Sequence, residues 1–254
     1  TGGPFEVVTE WGVFDEVFCA GNDATFRFLE DVFEEVLALF PDDYVHIGGD
    51  ECPKTRWKAC HRCQQRMRDE GLQSEEELQS FFVRHFAAWL AARGKKPIGW
   101  DEILEGGLAK EAAVMSWRGE QGGLVAASAG HDVVMAPESH VYFDRRHYDR
   151  EDERGRLSVN TLENVYSYEP IPADLDTDRV HHILGVEGTM WTEGTPQSED
   201  VAYMLFPRVV ALAEVAWSPK EARDWNSFRE RLREHGARLT CLLYTSPSPR
   251  DERL

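Results

Sequence analysis

The chain has 254 residues, of which 42% are hydrophobic, and this is enough for one sizeable core or for two small domains. Its 28 Lys and Arg residues stand against 46 Asp and Glu residues, so the formal net charge is −18. A surface this acidic repels nucleic acid and anionic membranes, which argues against both as partners, and no apolar run reaches the roughly 20 residues of a membrane span.

Short β-rich runs alternate with longer amphipathic runs along the chain. The apolar spacing predicts a first helix over residues 23–40, which Pro41 stops, and Ser74 is the predicted cap of a second helix that extends to residue 93. Further helices are predicted over residues 120–130 and 201–217. Buried strands are predicted at residues 44–47, 96–100, 112–117, 132–136 and 182–188.

This alternation of strands and helices favours an α/β fold with a parallel sheet. Its connections suit a (β/α)₈ TIM barrel, but about five strands can be found where a closed barrel needs eight. The chain opens with "TGGPFEVV", without a Met. We therefore expect an N-terminally truncated barrel whose missing strands lie upstream of Thr1, and the compartment of the parent protein stays open.

The end of the chain breaks the pattern. Residues 241–254 read "CLLYTSPSPRDERL", with neither a helical nor a strand period. We predict a barrel domain over residues 1–240, followed by a tail that is either non-native sequence or an ordinary disordered segment.

The chain contains five cysteines, at Cys19, Cys52, Cys60, Cys63 and Cys241. An odd number argues against a complete disulfide framework. Cys60 and Cys63 resemble half of a zinc site, but a second close pair of Cys or His residues is missing. Cys52 is a candidate third ligand, and His61 is a fourth only with awkward geometry. Free thiols are favoured, with a local disulfide and a metal site as alternatives.

Every predicted strand is followed by an acid, an aromatic residue or both. In barrels, catalytic residues come from the C-terminal ends of the strands. The residues at these positions are Asp50 and Glu51, then Trp100, Asp101 and Glu102, then Trp117 and Arg118, then Tyr142 and Asp144, and finally Trp191 and Glu193.

Aromatic rings beside carboxylates are typical of a carbohydrate site. The apolar face of a pyranose stacks on Trp, and carboxylates accept hydrogen bonds from its hydroxyls. Cleaving a glycosidic bond also needs an acid that can protonate the leaving oxygen. A single such pair is weak evidence, because Trp is most often a core residue and Glu a surface residue. The recurrence at five strand ends indicates a sugar-binding hydrolase.

The motifs "HIGGDE", "GWDEI", "MSWRG", "YFD" and "VEGTMWTE", in this order, resemble glycoside hydrolase family 20, the β-N-acetylhexosaminidases. The resemblance spans about residues 1–225. It implies a (β/α)₈ barrel of which this chain carries the fourth to eighth strands. It also implies exo-acting, retaining hydrolysis of terminal N-acetylglucosamine or N-acetylgalactosamine from β-linked glycans, without a metal or other cofactor.

The resemblance assigns catalytic roles to three residues. Glu51 resembles the general acid/base, and Asp50 resembles the residue that orients the 2-acetamido group of the substrate. That group, rather than a protein carboxylate, attacks the anomeric carbon in this family. Tyr142 resembles the residue that donates a hydrogen bond to the acetamide oxygen.

Other residues are assigned to sugar binding or to support. Aromatic walls are expected from Trp100, Trp117 and Trp191, and acids that hold ring hydroxyls from Asp144 and Glu193. His46 and Glu102 are expected behind these residues, although His46 also fits a core histidine. The remaining tryptophans are predicted to pack in the core or in loops; they are Trp11, Trp57, Trp89, Trp217 and Trp225.

The chain also departs from the family pattern. It lacks the upstream strands that carry a sugar-binding Arg and a His, and it has no evident equivalent of a further Trp before the last strand. The alternative is therefore a carbohydrate-binding or inactive fragment, although an intact pair of acids favours an enzyme. A metal-dependent hydrolase is disfavoured because the strand ends lack clustered histidines. The sequence leaves the sugar preference and the oligomeric state open.

Overall fold

The computed structural model describes residues 5–241, apart from the side chain of Leu157. The chain divides into two units. The first comprises the residues up to Met115 together with Val125–Val133, and the second comprises Ser116–Leu124 and the residues from Val134 onward. Both units are built from helices and parallel strands, so the predicted α/β class is confirmed.

The first unit begins with α1 and contains three neighbouring parallel strands in the order β1, β2, β3. Tyr44 lies opposite Lys96 in the first pair, and Ile98 lies opposite Ala113 in the second. The elements are α1 (Asp23–Leu39), β1 (Tyr44–His46), α2 (Thr55–Ala59), α3 (His61–Glu70), α4 (Glu75–Ala91), β2 (Lys96–Trp100), a 3₁₀ helix (Asp101–Leu104) and most of β3 (Ala113–Ser116).

The start of α4, the second predicted helix, is determined by its local sequence. Ser74 Oγ accepts a hydrogen bond from the Glu77 N–H at 3.2 Å, and the Glu77 carboxylate accepts one from the Gln73 N–H at 2.8 Å. Two otherwise unpaired donors are thereby satisfied at the first turn of α4. The predicted cap at Ser74 is confirmed, and the helix ends at Ala91, two residues earlier than predicted.

Aromatic side chains fill the space between α1 and α4. The Phe26 ring lies 4.9 Å from that of Phe82 and 5.9 Å from that of Phe86, and Phe33 lies 5.4 Å from Phe86. Leu78 and Leu90 on α4 are fully buried in the same unit. Phe26 and Phe33 of the apolar stripe that predicted α1 therefore pack on α4, whereas Phe28 and Val32 of the same helix are exposed.

The second unit contains most of β4 and the strand β7. The Glu187 N–H donates to the Met135 carbonyl at 2.9 Å, which places the two strands side by side. Two elements, α5 and β4, have residues in both units. The elements from α5 onward are α5 (Gln121–Ser128), β4 (Val133–Met135), α6 (Glu138–Val141), β5 (Arg145–Arg146), β6 (Arg156–Val159), α7 (Leu162–Ser167), a 3₁₀ helix (Val180–His182), β7 (Ile183–Val186), α8 (Ser198–Leu205), α9 (Arg208–Trp217), a 3₁₀ helix (Lys220–Ala222) and α10 (Trp225–Cys241).

A buried arginine joins the helices of this unit to its loops. Arg208, the first residue of α9, has no exposed surface, and its guanidinium donates to four carbonyls at 2.5–2.9 Å. The acceptors are the carbonyls of Phe143, Arg145, Asn160 and Met204. Burial lowers the pKa of Arg208 to about 9, which is still above neutral pH, so the guanidinium remains charged.

His147 makes the stability of this unit depend on pH. Its Nε2 donates to the Tyr203 carbonyl at 3.0 Å, and burial together with the nearby Arg208 charge lowers the pKa of His147 from 6.5 to about 3. Between these values the unfolded chain binds a proton that the folded chain does not. The free energy of unfolding therefore decreases as the pH is lowered below 6.5, by up to about 1.4 kcal/mol for each pH unit.

We expect His147→Gln to remove this contribution. Between pH 7 and pH 5, the loss of unfolding free energy in urea should be smaller in the variant than in the wild type by about 2 kcal/mol. The exposed His181 provides the control, since His181→Gln should retain the wild-type pH dependence. Equal pH dependence in His147→Gln and the wild type would contradict a neutral His147.

Most differences from the sequence-based prediction concern helices. All five predicted strands are present, although four are shorter than predicted. The predicted helix over residues 201–217 is two helices, α8 and α9, because Pro207 lacks the N–H that would continue the first. The sequence missed α2, α3, α6, α7 and α10 and the short strands β5 and β6, which are brief or carry charged residues along much of their length.

The tryptophan and tail predictions have mixed outcomes. Trp57 is buried as expected, but Trp217 is 91% exposed, so its predicted packing is wrong. Trp217 lies two residues beyond the buried Val215, on the opposite side of α9. Cys241 is the last residue of α10 rather than the start of a tail, and the rest of the predicted tail lies outside the described residues.

None of the helices over residues 5–241 combines the length and apolar character that crossing a bilayer requires.

Candidate active site

The acid pair lies in a turn that follows β1 and not in the strand itself. The strand ends at His46, and Gly48 and Gly49 then adopt φ angles of 70° and 99° before Asp50. Glu51 has a φ of 44° and is the one non-glycine residue with a positive φ among residues 5–241. Such a conformation costs on the order of 1–3 kcal/mol and persists only where the surroundings hold it.

The glycines let this turn approach the neighbouring strand. A side chain on Gly49 would place its Cβ 2.5 Å from Ile103 Cγ2, which no real side chain tolerates. The Gly48 carbonyl accepts a hydrogen bond from the Trp100 N–H at 2.9 Å. The two glycines therefore serve close packing of the acid-bearing turn against the end of β2 and the residues that follow it.

Side chains from two helical segments hold the turn on both sides of the acids. Gln79, a buried residue of α4, donates from Nε2 to the Gly49 carbonyl at 2.6 Å. Lys54 donates from Nζ to the Cys52 carbonyl at 2.7 Å and also to Gln79 Oε1. These bonds fix the carbonyls that flank the acid pair and offset the unfavourable φ of Glu51. Neither Gln79 nor Lys54 was identified as a site residue from the sequence.

His46 packs against Trp100 at the end of β2. The two rings meet edge to face, with centroids 5.0 Å apart, and His46 Nδ1 accepts a hydrogen bond from the Gly48 N–H at 3.1 Å. Desolvation by the surrounding chain lowers the pKa of His46, and the Asp50 carboxylate acts in the opposite direction. A neutral His46 that carries its proton on Nε2 fits this arrangement. Glu102 lies in the 3₁₀ helix just after Trp100.

In the second unit, three predicted aromatic residues come together. Tyr142 is buried, the Trp117 ring stacks on it at a centroid distance of 6.3 Å, and the Trp191 ring meets it edge to face at 6.5 Å. The Arg145 guanidinium lies 5.7 Å from the Tyr142 ring centroid. An aromatic surface of this kind can hold the apolar face of a sugar or an N-acetyl methyl group.

The backbone at Tyr142 is extended and bonded to the segment after β7. The Phe143 N–H donates to the Thr189 carbonyl at 2.7 Å, and the Thr189 N–H donates to Val141 at 2.9 Å. The buried Asn160 donates from Nδ2 to the Tyr142 carbonyl at 3.2 Å. Tyr142 is thus positioned by two separate parts of the chain, and the sequence did not single out Asn160.

Asp144 is paired with an arginine that the sequence did not identify. Asp144 is 2% exposed, and its Oδ2 accepts a hydrogen bond from Arg156 Nε at 2.7 Å. Arg156 Nη1 also lies 3.8 Å from Glu193 Oε1, so one guanidinium links the two predicted acids. Asp144 Oδ1 is buried and has no hydrogen-bond partner among the described residues. This oxygen is an available acceptor for a ligand hydroxyl.

A further acid lies just after β7. Glu187 is exposed, although partial desolvation by its surroundings raises the pKa of its carboxyl. It precedes Gly188, where any side chain would overlap with the Phe143 ring. The sequence motif contained Glu187, but the prediction singled out Trp191 and Glu193 downstream.

The comparisons with known proteins agree on one family. The model of the glycosyl hydrolase family 20 catalytic domain matches residues 4–220. A β-hexosaminidase from Porphyromonas gingivalis is 48% identical over 233 residues, which cover 90% of this chain and 30% of that protein. A β-hexosaminidase from Vibrio furnissii is 36% identical over 203 residues, covering 78% of this chain and 33% of that protein.

Solved structures give the same result. A family 20 exo-β-N-acetylglucosaminidase from Vibrio harveyi, in complex with N-acetylglucosamine, superposes with a TM-score of 0.85 at 34% identity. The match covers 92% of this chain and 37% of that one. A Flavobacterium johnsoniae chitobiase superposes with a TM-score of 0.81 at 33% identity, over 92% of this chain and 35% of that one. The chain therefore spans about a third of the length of these four proteins.

Proposed function

The chain belongs to glycosyl hydrolase family 20, and from this membership we propose that it is part of the catalytic domain of an exo-acting, retaining β-N-acetylhexosaminidase. In this proposal its five main parallel strands are the fourth to eighth of a (β/α)₈ barrel. The substrates are glycans that end in β-linked N-acetylglucosamine or N-acetylgalactosamine.

The proposed reaction has two steps at the anomeric carbon. Glu51 protonates the glycosidic oxygen while the carbonyl oxygen of the 2-acetamido group of the substrate attacks the anomeric carbon, which forms a cyclic oxazolinium ion. Asp50 accepts a hydrogen bond from the acetamide N–H and stabilises the positive charge that develops there. Glu51 then removes a proton from the water that attacks the anomeric carbon, and the bond between that carbon and the acetamide oxygen breaks, which restores the 2-acetamido group. The two inversions together retain the β configuration.

The conformation of Glu51 is the observation that carries this assignment. A carboxylate that only caps a loop has no need of a positive φ, which costs free energy. Gln79 and Lys54 hold the turn that imposes this conformation, so the surrounding helices stabilise an unfavourable backbone at an acid. Strain of this kind clusters at functional sites, and it supports a catalytic role for Glu51.

The aromatic group supports a role in holding the acetamide. In the proposal, the Tyr142 hydroxyl donates to the acetamide oxygen as that oxygen turns toward the anomeric carbon. Trp117 and Trp191, whose rings contact Tyr142, exclude water from the acetamide methyl. Trp100, which packs on His46 beside the acid-bearing turn, is proposed as a further wall of the sugar site. Excluding water protects the cyclic ion from premature hydrolysis.

Asp144 and Glu193 are proposed to accept hydrogen bonds from hydroxyls of the terminal sugar. The buried Asp144 Oδ1 supports this role because burying an acceptor without a partner is unfavourable unless a ligand satisfies it. Arg156 neutralises repulsion between the two acids. Neither acid is assigned to one hydroxyl orientation, so the proposed substrates include both gluco and galacto sugars.

The test compares two substrates that differ only at C2. We expect an aryl N-acetyl-β-glucosaminide to be cleaved at least about 10³-fold faster, by kcat/KM, than the matching aryl β-glucoside, since only the first carries the internal nucleophile. The first product observed by NMR should be the β anomer. The assay uses both these 254 residues and the longest open reading frame of the source DNA that contains them.

Two outcomes would change the proposal. Comparable cleavage of the two substrates would contradict participation of the acetamide group. Binding of N-acetylglucosamine without cleavage, by a folded product of the longer reading frame, would favour the carbohydrate-binding or inactive alternative.

A further inference from the structure

Three cysteines of the first unit, none of which the proposed reaction uses, lie together. The Cys19 Sγ is 3.8 Å from the Cys60 Sγ and 3.7 Å from the Cys63 Sγ, and all three sulfurs lie within 4.8 Å of one another. Cys63 is fully buried, Cys60 nearly so, and Cys19 partly. The sequence suggested Cys52 as the third member, but in the structure that place belongs to Cys19.

The spacing of the sulfurs matches the edge of a metal-centred tetrahedron. With Zn–S bonds of about 2.3 Å and tetrahedral angles, two coordinated sulfurs are about 3.8 Å apart. A disulfide would require about 2.05 Å between two of them, and hence movement of the chain. We propose that Cys19, Cys60 and Cys63 bind one Zn²⁺ ion that stabilises the first unit.

The local fold presents these sulfurs to one point. Cys60 is the N-terminal cap of α3 and Cys63 lies in its first turn, where the helix dipole favours negatively charged sulfur. A side chain at Gly21 would overlap with the Arg62 carbonyl, so only glycine allows the segment after Cys19 to come so close to α3. The Gly21 N–H also donates to Cys63 Sγ, which ties the segment after Cys19 to α3 beside the sulfurs.

Room for a fourth ligand is present beside the three cysteines. A cavity of about 380 Å³ is lined by all three and by His61 and Asn22. A water molecule in this cavity completes the tetrahedron in our proposal. Thiolates together with one water select a soft divalent cation such as Zn²⁺ over Mg²⁺ or Ca²⁺, which prefer oxygen ligands.

The ion would tie two segments that are far apart in sequence. Cys19 precedes α1, whereas Cys60 and Cys63 belong to the helical segment that begins just after the acid-bearing turn. Because the unfolded chain does not hold the three sulfurs together, the free energy of zinc binding contributes to folding of this unit. The role is structural and adds no step to the proposed reaction.

The test measures metal rather than activity. The 254-residue chain, purified with a reductant and without chelators, should contain about one Zn²⁺ per molecule when its metal content is measured by inductively coupled plasma mass spectrometry. Bound Co²⁺ should show the sulfur-to-metal charge-transfer band and intense visible bands of a tetrahedral thiolate site. Cys60→Ser and Cys63→Ser should each lose more than about 90% of the zinc, because two remaining thiolates bind far more weakly.

Matched serine variants separate this site from general thiol binding. Cys52→Ser removes a cysteine that packs against the same core, and Cys241→Ser removes an exposed one in the other unit. Both should keep the zinc content and the cobalt spectrum of the wild type. Loss of zinc in Cys52→Ser equal to that in Cys60→Ser would overturn the assignment of Cys19.

A measurement on the unmodified chain covers the case in which a serine variant does not fold. A chelator should lower the thermal midpoint, and added Zn²⁺ should restore it in a concentration-dependent way. Neutral thiols at the same separation make only weak hydrogen bonds and would give no such response. An unchanged midpoint with no bound zinc, or a disulfide between two of the three cysteines in the unreduced protein, would overturn the proposal.

Discussion

Replacing Glu51 by Gln is expected to lower kcat/KM for the β-linked N-acetylglucosamine disaccharide by about 10²- to 10⁴-fold. The amide has nearly the size of the carboxyl group and fits the same turn, so the positive φ at position 51 and the hydrogen bonds around it should persist. It cannot donate and accept a proton as the proposed reaction requires. The loss should therefore appear in catalysis, while substrate binding changes little.

The leaving group makes this expectation more specific. An aryl glycoside with an acidic phenol needs little help from a proton donor, so the first step in Glu51→Gln should slow much less for it than for the disaccharide. Its second step still needs a base to activate water. Azide, which attacks without a base, should therefore accelerate turnover of the aryl substrate and yield a β-glycosyl azide.

An exposed neighbour provides the control for Glu51→Gln. Glu105 lies in the same unit, just after the 3₁₀ helix, and Glu105→Gln makes the same chemical change without altering the acid pair. It should retain activity within about twofold of the wild type, as surface substitutions usually do. If Glu51→Gln cleaved the disaccharide within tenfold of the wild-type rate, Glu51 would not be the proton donor.

The sequence predicted the parallel strands and the residues at their ends because these follow local rules. Ser74 caps α4 through a pattern visible within four residues, and the apolar period of α1 is a property of one segment. The order of the short motifs also carried the family resemblance, which the family model and the relatives bear out. These signals need no knowledge of which distant residues meet.

What the sequence missed depends on contacts between distant segments. Arg156 is one of several arginines in a charged run, and nothing local distinguishes it as the partner of Asp144. Cys19 is far along the chain from Cys60, so their proximity follows only from the packing of the segment before α1 on α3. The φ of Glu51 likewise results from a turn held by α4.

Arg208 is another residue whose contacts with distant segments the sequence did not reveal. Of the substitutions considered, its replacement should have the largest effect on the free energy of unfolding. We expect Arg208→Met to lower the free energy of unfolding by about 3–5 kcal/mol in urea. Methionine fills part of the volume but leaves four buried carbonyls without their donors. Arg208→Lys should be intermediate, because one ammonium cannot reach four acceptors in the geometry of a planar guanidinium.

The control for Arg208 is an arginine at the surface. Arg231 pairs with Glu214, and its side chain is 56% exposed, so Arg231→Met should cost less than about 1 kcal/mol. Equal losses in Arg208→Met and Arg231→Met would show that the buried carbonyls recover other partners. The comparison isolates the effect of burial, since both substitutions replace an arginine by methionine.

The position of Arg208 also links stability to the proposed sugar site. Its acceptor at Phe143 lies between Tyr142 and Asp144, and its acceptor at Asn160 belongs to the residue that bonds the Tyr142 carbonyl. Loosening this segment should weaken the near-ultraviolet dichroism of the aromatic rings before global unfolding. Catalysis should fall as well, with a rise in KM for the acetamido substrate, because Tyr142 and Asp144 are proposed to bind it. A stable Arg208→Lys variant with this change in KM would establish Arg208 as a positioning residue.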